Sequence, residues 1–273
     1  MAKEQVTQAT TKELEAGRQR DIARAHAQVA DDLFEDLAID STDIIIPKLL
    51  LMQGMSQFVA DDKAKLGDYV NSVTGERLGS VVEPIEIIPF YHRKSLDILN
   101  ADENNERIRN EEFTPANATL PWTDVEAGVN IKRVKRLDFF CLVPATLAKG
   151  SILPMVVSFR STGYKAGASI LTAWMETRER NRIAKEQGRL ADVQLPFHQS
   201  FVLSGQKLTN DKKQTYVVPA VQIGKAVPED QQRMCLDWFQ TVKTSKAIKV
   251  DETDEGMASG PEASVEAAGT GKY

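Results

Sequence analysis

Two stretches of this chain, 80–99 and 131–160, are dense in β-branched and aromatic residues, and no regular alternation of strand and helix joins them. A parallel sheet needs that alternation, so the pattern predicts antiparallel strands with added helices, an α+β or barrel-type domain. The first stretch, SVVEPIEIIPFYHRKSLDIL, carries Val81, Val82, Ile85, Ile87 and Ile88. Pro84 and Pro89 cannot donate to a ladder, which places them at a sheet edge or a bulge. The second runs from a basic strand into an apolar one, IKRVKRLDFFCLVPATL, and continues in SILPMVVSFRST. Within 132–136, Lys132, Val134 and Arg136 share one side of a strand, and Arg133 and Lys135 the other. Such a strand is not buried on both faces, so at least one face meets solvent or a polyanion.

Shorter signals fill in the order of elements. IIIPKLLLM, 44–52, reads as a buried first strand or short helix. GDYVNSVTGERLG, 67–79, reads as two strands about a turn in which Gly75 supplies the permissive backbone. Residues 100–130 are polar, with two prolines and little periodicity, and read as a long insertion or loop. TGYKAGASILTAWMETRERNRIAKEQGR, 162–189, is the best helix, with Ala166, Ile170, Trp174 and Met175 as its apolar face and a charged, solvated second half. Residues 195–225 read as two strands joined by a polar loop. An amphipathic helix follows over 228–245, with Pro228 at its start and Glu229 and Asp230 in its first turn.

Charge divides the chain into three parts. Residues 1–43 hold 5 Lys/Arg against 10 Asp/Glu and form an acidic arm with a sparse helical stripe of Leu14, Ile22, Val29, Leu33 and Leu37. Residues 250–273 hold 1 against 6 and have the Gly/Ala/Ser/Glu composition of a disordered tail. The body, 44–249, is net positive, and its excess is confined to 131–249, with 20 basic residues against 9 acidic. A basic body beside an acidic tail fits a polyanion partner for which the tail competes.

Catalytic and cofactor signatures are missing. There is no Walker A sequence, no GxGxxG after a strand, no GxSxG and no HExxH. The reading is a protein that is not an enzyme and holds no cofactor and no metal. Cys141 and Cys235 lack metal or redox spacing and read as reduced, buried thiols of a cytoplasmic protein. No apolar run is long enough for a membrane span, and no secretory signal is expected.

What remains is an interleaving of aromatic and basic residues, the composition with which proteins stack unpaired bases and track phosphates. The clusters are Tyr91, Arg93 and Lys94; Lys132, Arg133, Lys135 and Arg136; Arg160, Tyr164 and Lys165; and Lys207, Lys212, Lys213 and Tyr216. Phe139, Phe140 and Phe159 adjoin apolar runs and read as core.

As a whole, 44–245 resembles a group of bacteriophage proteins of early DNA metabolism, the single-stranded DNA-binding and recombination-accessory proteins. IPKLLLMQGMS (46–56), GDYVNSVTGE (67–76), IIPFYHRKS (87–95), VVSFRSTGYKAG (156–167) and TYVVPAVQIGK (215–225) carry the resemblance. It implies an OB-like β-barrel core with added helices, no cofactor, and non-sequence-specific binding of single-stranded DNA in the host cytoplasm. The tail also resembles the acidic tails through which such proteins recruit replication or recombination partners. Asp251, Glu252, Asp254, Glu255 and the terminal Tyr273 are its candidate docking residues, although the acid cluster stands well short of the tip and Lys272 adjoins Tyr273. A homo-oligomer is compatible with all of this. The alternative is a non-enzymatic phage interaction or host-takeover factor that works through the helix over 11–37 and the tail.

Overall fold

The computed structural model describes residues 45–54, 56–102, 105–210, 213–244 and 249–250, all within the unit Ile45–Tyr273. The expected helix over 11–37, Lys212 and the tail residues Asp251, Glu252, Asp254, Glu255 and Tyr273 lie outside the described residues.

In chain order the first elements are β1 (Ile45–Ile46), β2 (Leu49–Leu51), the single turn α1 (Gln57–Ala60), β3 (Asp68–Asn71) and β4 (Arg77–Ser80). Then come β5 (Ile85–Asn100), β6 (Glu106–Glu112), β7 (Thr123–Glu126), β8 (Val129–Leu142), α2 (Pro144–Leu147) and β9 (Met155–Arg160). Helix α3 (Tyr164–Glu186), β10 (Gln199–Thr209), β11 (Thr215–Ala226), α4 (Glu229–Thr244) and β12 (Lys249–Val250) complete the series. The class is therefore α+β with mainly antiparallel sheet, as the strand-rich pattern predicts.

The two long strands organise the sheet. β5 and β8 run antiparallel from Ile88 opposite Leu142 to Asn100 opposite Ile131. Each changes partner on its outer edge. β10 takes 85–87 of β5 and β6 takes 95–100, while β9 takes 136–141 of β8 and β7 takes 129–132. Pro89 sits at the register shift between Pro89 and Tyr91, in the interval where neither β10 nor β6 pairs with β5. A central strand tolerates the missing N–H there because a bulge has already broken the ladder.

Residues 100–130, expected as a long insertion or loop, contain β6 and β7, which extend the sheet beside the ends of β5 and β8. The sequence hides them because both lie mostly exposed and are built from charged residues, so no apolar alternation marks them.

No closed barrel is found among the described residues; the strand path runs β11-β10-β5-β8-β7, with β6 and β9 branching from it. The segment before β3 spans the gap between β9 and β11 instead. The Val156 N–H donates to the Pro47 carbonyl at 2.9 Å. The Gln53 amide donates to the Val217 carbonyl and accepts from the Val217 N–H, both at 3.0 Å, as a neighbouring strand would. Tyr69 Oη donates to the Ser204 carbonyl at 2.8 Å. β2, β3 and β4 form their own antiparallel sheet, turned at Gly75, whose φ of +69° is costly for any residue with a Cβ.

Core residues lie on both sides of the β5–β8 pair. Leu137, Phe139 and Cys141 join Phe159, Leu203 and Ile170 of α3 in one cluster. Phe140 and Leu142 join Ile88, Phe90 and Cys235 and Val242 of α4 in the other. Phe139, Phe140 and Phe159 are buried, as core rather than stacking platforms. Helix α3 approaches β9 at Gly167, where a Cβ would come within 2.9 Å of the Phe159 ring. Of the residues expected on the apolar face of α3, Ile170 is buried and Ala166 and Trp174 pack partly buried against the core, whereas Met175 is 60% exposed; Gly167, Thr177 and Ala184 are buried as well. Helix α4 begins with Glu229 and Asp230 and has Lys243 in its last turn, each opposing the dipole end beside it. β12 then pairs parallel with β1, Val250 opposite Ile46.

Candidate nucleic-acid interface

Cross-strand partners point to the same side of a sheet, so the register sorts the predicted cations by face. On one face β5 presents Tyr91, Arg93, Ser95, Asp97 and Leu99 opposite Phe140, Asp138, Arg136, Val134 and Lys132 of β8. β9 adds Arg160 opposite Arg136 and Ser158 opposite Asp138. Five predicted residues, Tyr91, Arg93, Lys132, Arg136 and Arg160, thus come together from three separate sequence clusters. Lys94, Lys135 and Arg133 occupy the other face, opposite Leu137, Leu96 and Ile98.

Arginines of this site differ in what they touch. Arg136 is 7% exposed. Its Nε donates to Asp138 at 2.7 Å and its Nη2 to Ser158 Oγ at 3.0 Å, and Nη1 stands 3.7 Å from Asp97. Ser158 Oγ in turn donates to Asp138 at 2.6 Å. Arg133, also buried, donates to Glu126 at 2.6 Å, to Asp124 at 3.2 Å and to the Pro121 carbonyl at 2.9 Å. Both are held by carboxylates, two of which come from β7 in the insertion. Arg109 joins Glu126 to Glu111 on the same face as Arg133 and holds the Glu126 carboxyl below the usual carboxylate range. The Val125 N–H, and after it Arg133, lowers Asp124 likewise.

Other cations rest on rings. The Arg93 guanidinium lies 4.9 Å from the Phe140 centroid, and Tyr91 meets Phe140 edge-on at 5.6 Å. Lys132 Nζ is 5.7 Å from the Trp122 centroid and Lys135 Nζ 5.6 Å from that of Phe113. Lys94 and Lys135 are exposed. A cation above a ring keeps its charge and loses little hydration at the surface, so it can still meet a phosphate.

An open groove of about 1070 Å³ runs along β5 and β6 past Tyr91, Arg93, Ser95 and Arg136. Its walls carry six Lys and Arg side chains against two carboxylates. Lys48, Arg107, Arg109 and Phe113 belong to this groove and were not among the sequence-derived candidates. The alternation of Arg107 and Arg109 is the one local signal that could have marked them, once 106–112 is known as a strand. Farther along the same face, Lys132, Arg160 and Tyr216 line a single smaller cavity. Tyr164 packs partly buried against the core. Lys165, Lys207 and Lys213 are exposed on α3 and on the β10–β11 hairpin, and neither cavity includes them.

His92 stacks on Phe139 at 6.0 Å and meets Trp174 edge-on at 5.7 Å. Burial, and next the charge of Lys94, pushes its pKa below the ordinary value. The unfolded chain therefore binds a proton that the folded chain resists. The stability contributed is complete above about pH 6.5 and is lost as pH falls toward the folded value. Unfolding midpoints between about pH 7.5 and 5.5 are expected to fall with acid in the native protein and to fall less in His92→Phe. Equal slopes in the two proteins would overturn this assignment. Cys141 and Cys235 are free and buried. Burial raises Cys141 well above the usual thiol range and Cys235 to about 12, which leaves both unreactive. Among the described residues no helix is long and apolar enough to cross a membrane.

Residues 25–248 match the model of a protein family described as Pam3 phage gp34-like protein. No curated protein and no solved structure matches the chain.

Proposed function

The chain belongs to the Pam3 phage gp34-like family, a bacteriophage family, and from that premise we propose that it binds single-stranded DNA without sequence specificity during phage replication or recombination. The observation that supports this reading most is the gathering of Tyr91, Arg93, Lys132, Arg136 and Arg160 on one face of three adjacent strands, beside a groove with a cationic excess. Arg93, Lys94 and the cations of β6 meet the sugar-phosphate backbone. Tyr91 and Tyr216 offer rings on which bases stack, each worth about 1–3 kcal/mol. Arg136 and Arg133 shape the face from beneath and hold its strands. Closure into an OB-like barrel is not required, since an open twisted sheet presents the same alternating face to a strand.

The acidic tail acts on this scheme as a tethered competitor for the groove and as a recruiter of replication or recombination proteins. Val250, at the head of this tail, pairs with Ile46 and packs partly buried against the cluster that holds Phe140 and Cys235.

Fluorescence anisotropy of a labelled single-stranded oligonucleotide tests the proposal. Binding is expected at low salt, tighter than to duplex, with a log–log salt slope of about 0.7 per neutralised phosphate. Truncation after Val250 is expected to tighten binding at low salt. An absence of any anisotropy change at low salt rejects the reading, and an unchanged affinity after truncation rejects the competitor role.

A further inference from the structure

The groove beside β6 does not stay on one face of the sheet. Tyr91, Arg93, Ser95 and Arg136 line it from the face described above, and His92 and Lys94, which alternate to the opposite side of β5, line it as well. The crossing lies where the outer edge of β5 is open. β10 pairs with 85–87 and β6 with 95–100, and among the described residues no strand takes 88–93 on that edge. His92 and Lys94 also line a second open groove, of about 920 Å³, between β5 and α3. Beyond them it carries Trp174, Met175, Arg178 and Lys185 of α3. Its far wall is pinned to the helix, since the Asn181 amide exchanges two hydrogen bonds with the Gln194 backbone, at 2.7 and 2.9 Å. The lining holds four Lys and Arg side chains against one carboxylate, Glu179. Arg182 already takes that carboxylate together with Glu186. Lys94, Arg178 and Lys185 are exposed and make no ion pair among the described residues.

We propose that a bound single strand follows this path, from the groove beside β6 round the open edge of β5 at His92 and Lys94 and onto α3, where Arg178 takes a further phosphate. This path rests on the single-strand reading and extends its site to a second face. A polymer with one charge per nucleotide matches a run of separate cations, Arg93, Lys94 and Arg178, that continues from one groove into the next. His92 and Trp174, edge-on at 5.7 Å and both half-buried, give a base an aromatic surface at the turn. Helix α3 then leads away. Lys185 stands about 10 Å beyond Arg178 along its axis, so the strand's contacts belong to the end of the groove beside β5.

Strand length separates the two grooves. Oligo(dT) of about 6 and about 16 nucleotides, near the two ends of the usual range of single-strand site sizes, is titrated by anisotropy against the full chain. Arg178→Glu is expected to weaken binding of the longer strand on the order of tenfold at low salt and to lower its salt slope by at least about 0.7, one phosphate's worth. Its affinity for the shorter strand is expected to stay within about twofold of the native value. Arg178 is exposed, so the change leaves the fold intact. Lys185→Glu on the same helix is the comparison, and is expected to keep both lengths within about twofold at moderate salt. An Arg178→Glu protein that binds the longer strand as the native protein does overturns the path and leaves the strand-binding reading standing. So does a loss of equal size on both lengths, or an equal loss in Lys185→Glu, since either reports overall charge rather than a contact. Failure of the native protein to bind either length overturns the strand-binding reading and the path with it.

Discussion

Arg136→Ala is expected to destabilise the fold by about 3–5 kcal/mol, the usual cost of removing one partner from a buried ion pair. Arg136 and Asp97 are 8% and 1% exposed at their side chains. Deleting the guanidinium strands the Asp97 and Asp138 carboxyls and leaves Ser158 with one partner fewer. Three strands lose their common tie at once, because these residues belong to β5, β8 and β9. Lys135→Ala, one residue away and exposed, is expected within about 0.5 kcal/mol of the native protein. Denaturant unfolding of both variants measures the difference. A loss for Arg136→Ala no greater than that for Lys135→Ala would show that the buried cluster contributes little. Replacing Asp97, Arg136 and Asp138 together by apolar residues is a different experiment, and it costs far less than the single deletion because no charge is left uncompensated.

The second large effect is on DNA. Arg93→Glu combined with Lys132→Glu is expected to weaken single-strand binding on the order of 100-fold at low salt and to lower the salt slope by at least about 1.4, two phosphate contacts' worth. These two residues sit over rings, Arg93 over Phe140 at the groove and Lys132 over Trp122 at the cavity. Charge reversal at Arg133 or Arg136, which the sequence alone recommends, would instead place a carboxylate against Asp124 and Glu126 or against Asp97 and Asp138. Lost binding there would report lost folding. Lys185→Glu, exposed on α3, serves as the control and is expected to keep affinity within about twofold at moderate salt. An unchanged affinity in the double variant would move the function to the alternative, a protein-interaction factor that leaves the basic face idle.

Most of the element order was legible in the residues. The β-branched density of 80–99, the turn at Gly75, the helix after Thr162 and the Pro228 start of the last helix are local signals, and each marks an element of the structure. β6 and β7 were not legible. A strand whose both faces meet solvent shows no alternation, and its pairing depends on partners that are near in space rather than in sequence. Closure into the expected barrel is not found among the described residues, for a related reason. Strand content says little about closure, and among the described residues the Gln53 side chain bridges the gap between the segment before β3 and β11.

The candidate site divides the same way. The sequence by itself determined that a strand reading Lys132-Arg133-Val134-Lys135-Arg136 presents cations on two faces, because side chains alternate at every residue. Only the tertiary structure decided how those charges are used. Register set Arg136 beside Asp97 and Asp138, and the return of β7 set Arg133 beside Asp124 and Glu126, so two of the four cations serve the fold. Register also set Lys132 and Arg160 on one face, where they line a single cavity with Tyr216 of β11. Charge is a property of composition. Whether it is neutralised depends on contacts a few ångströms long between residues far apart in the chain, and these are formed only when the strands pair.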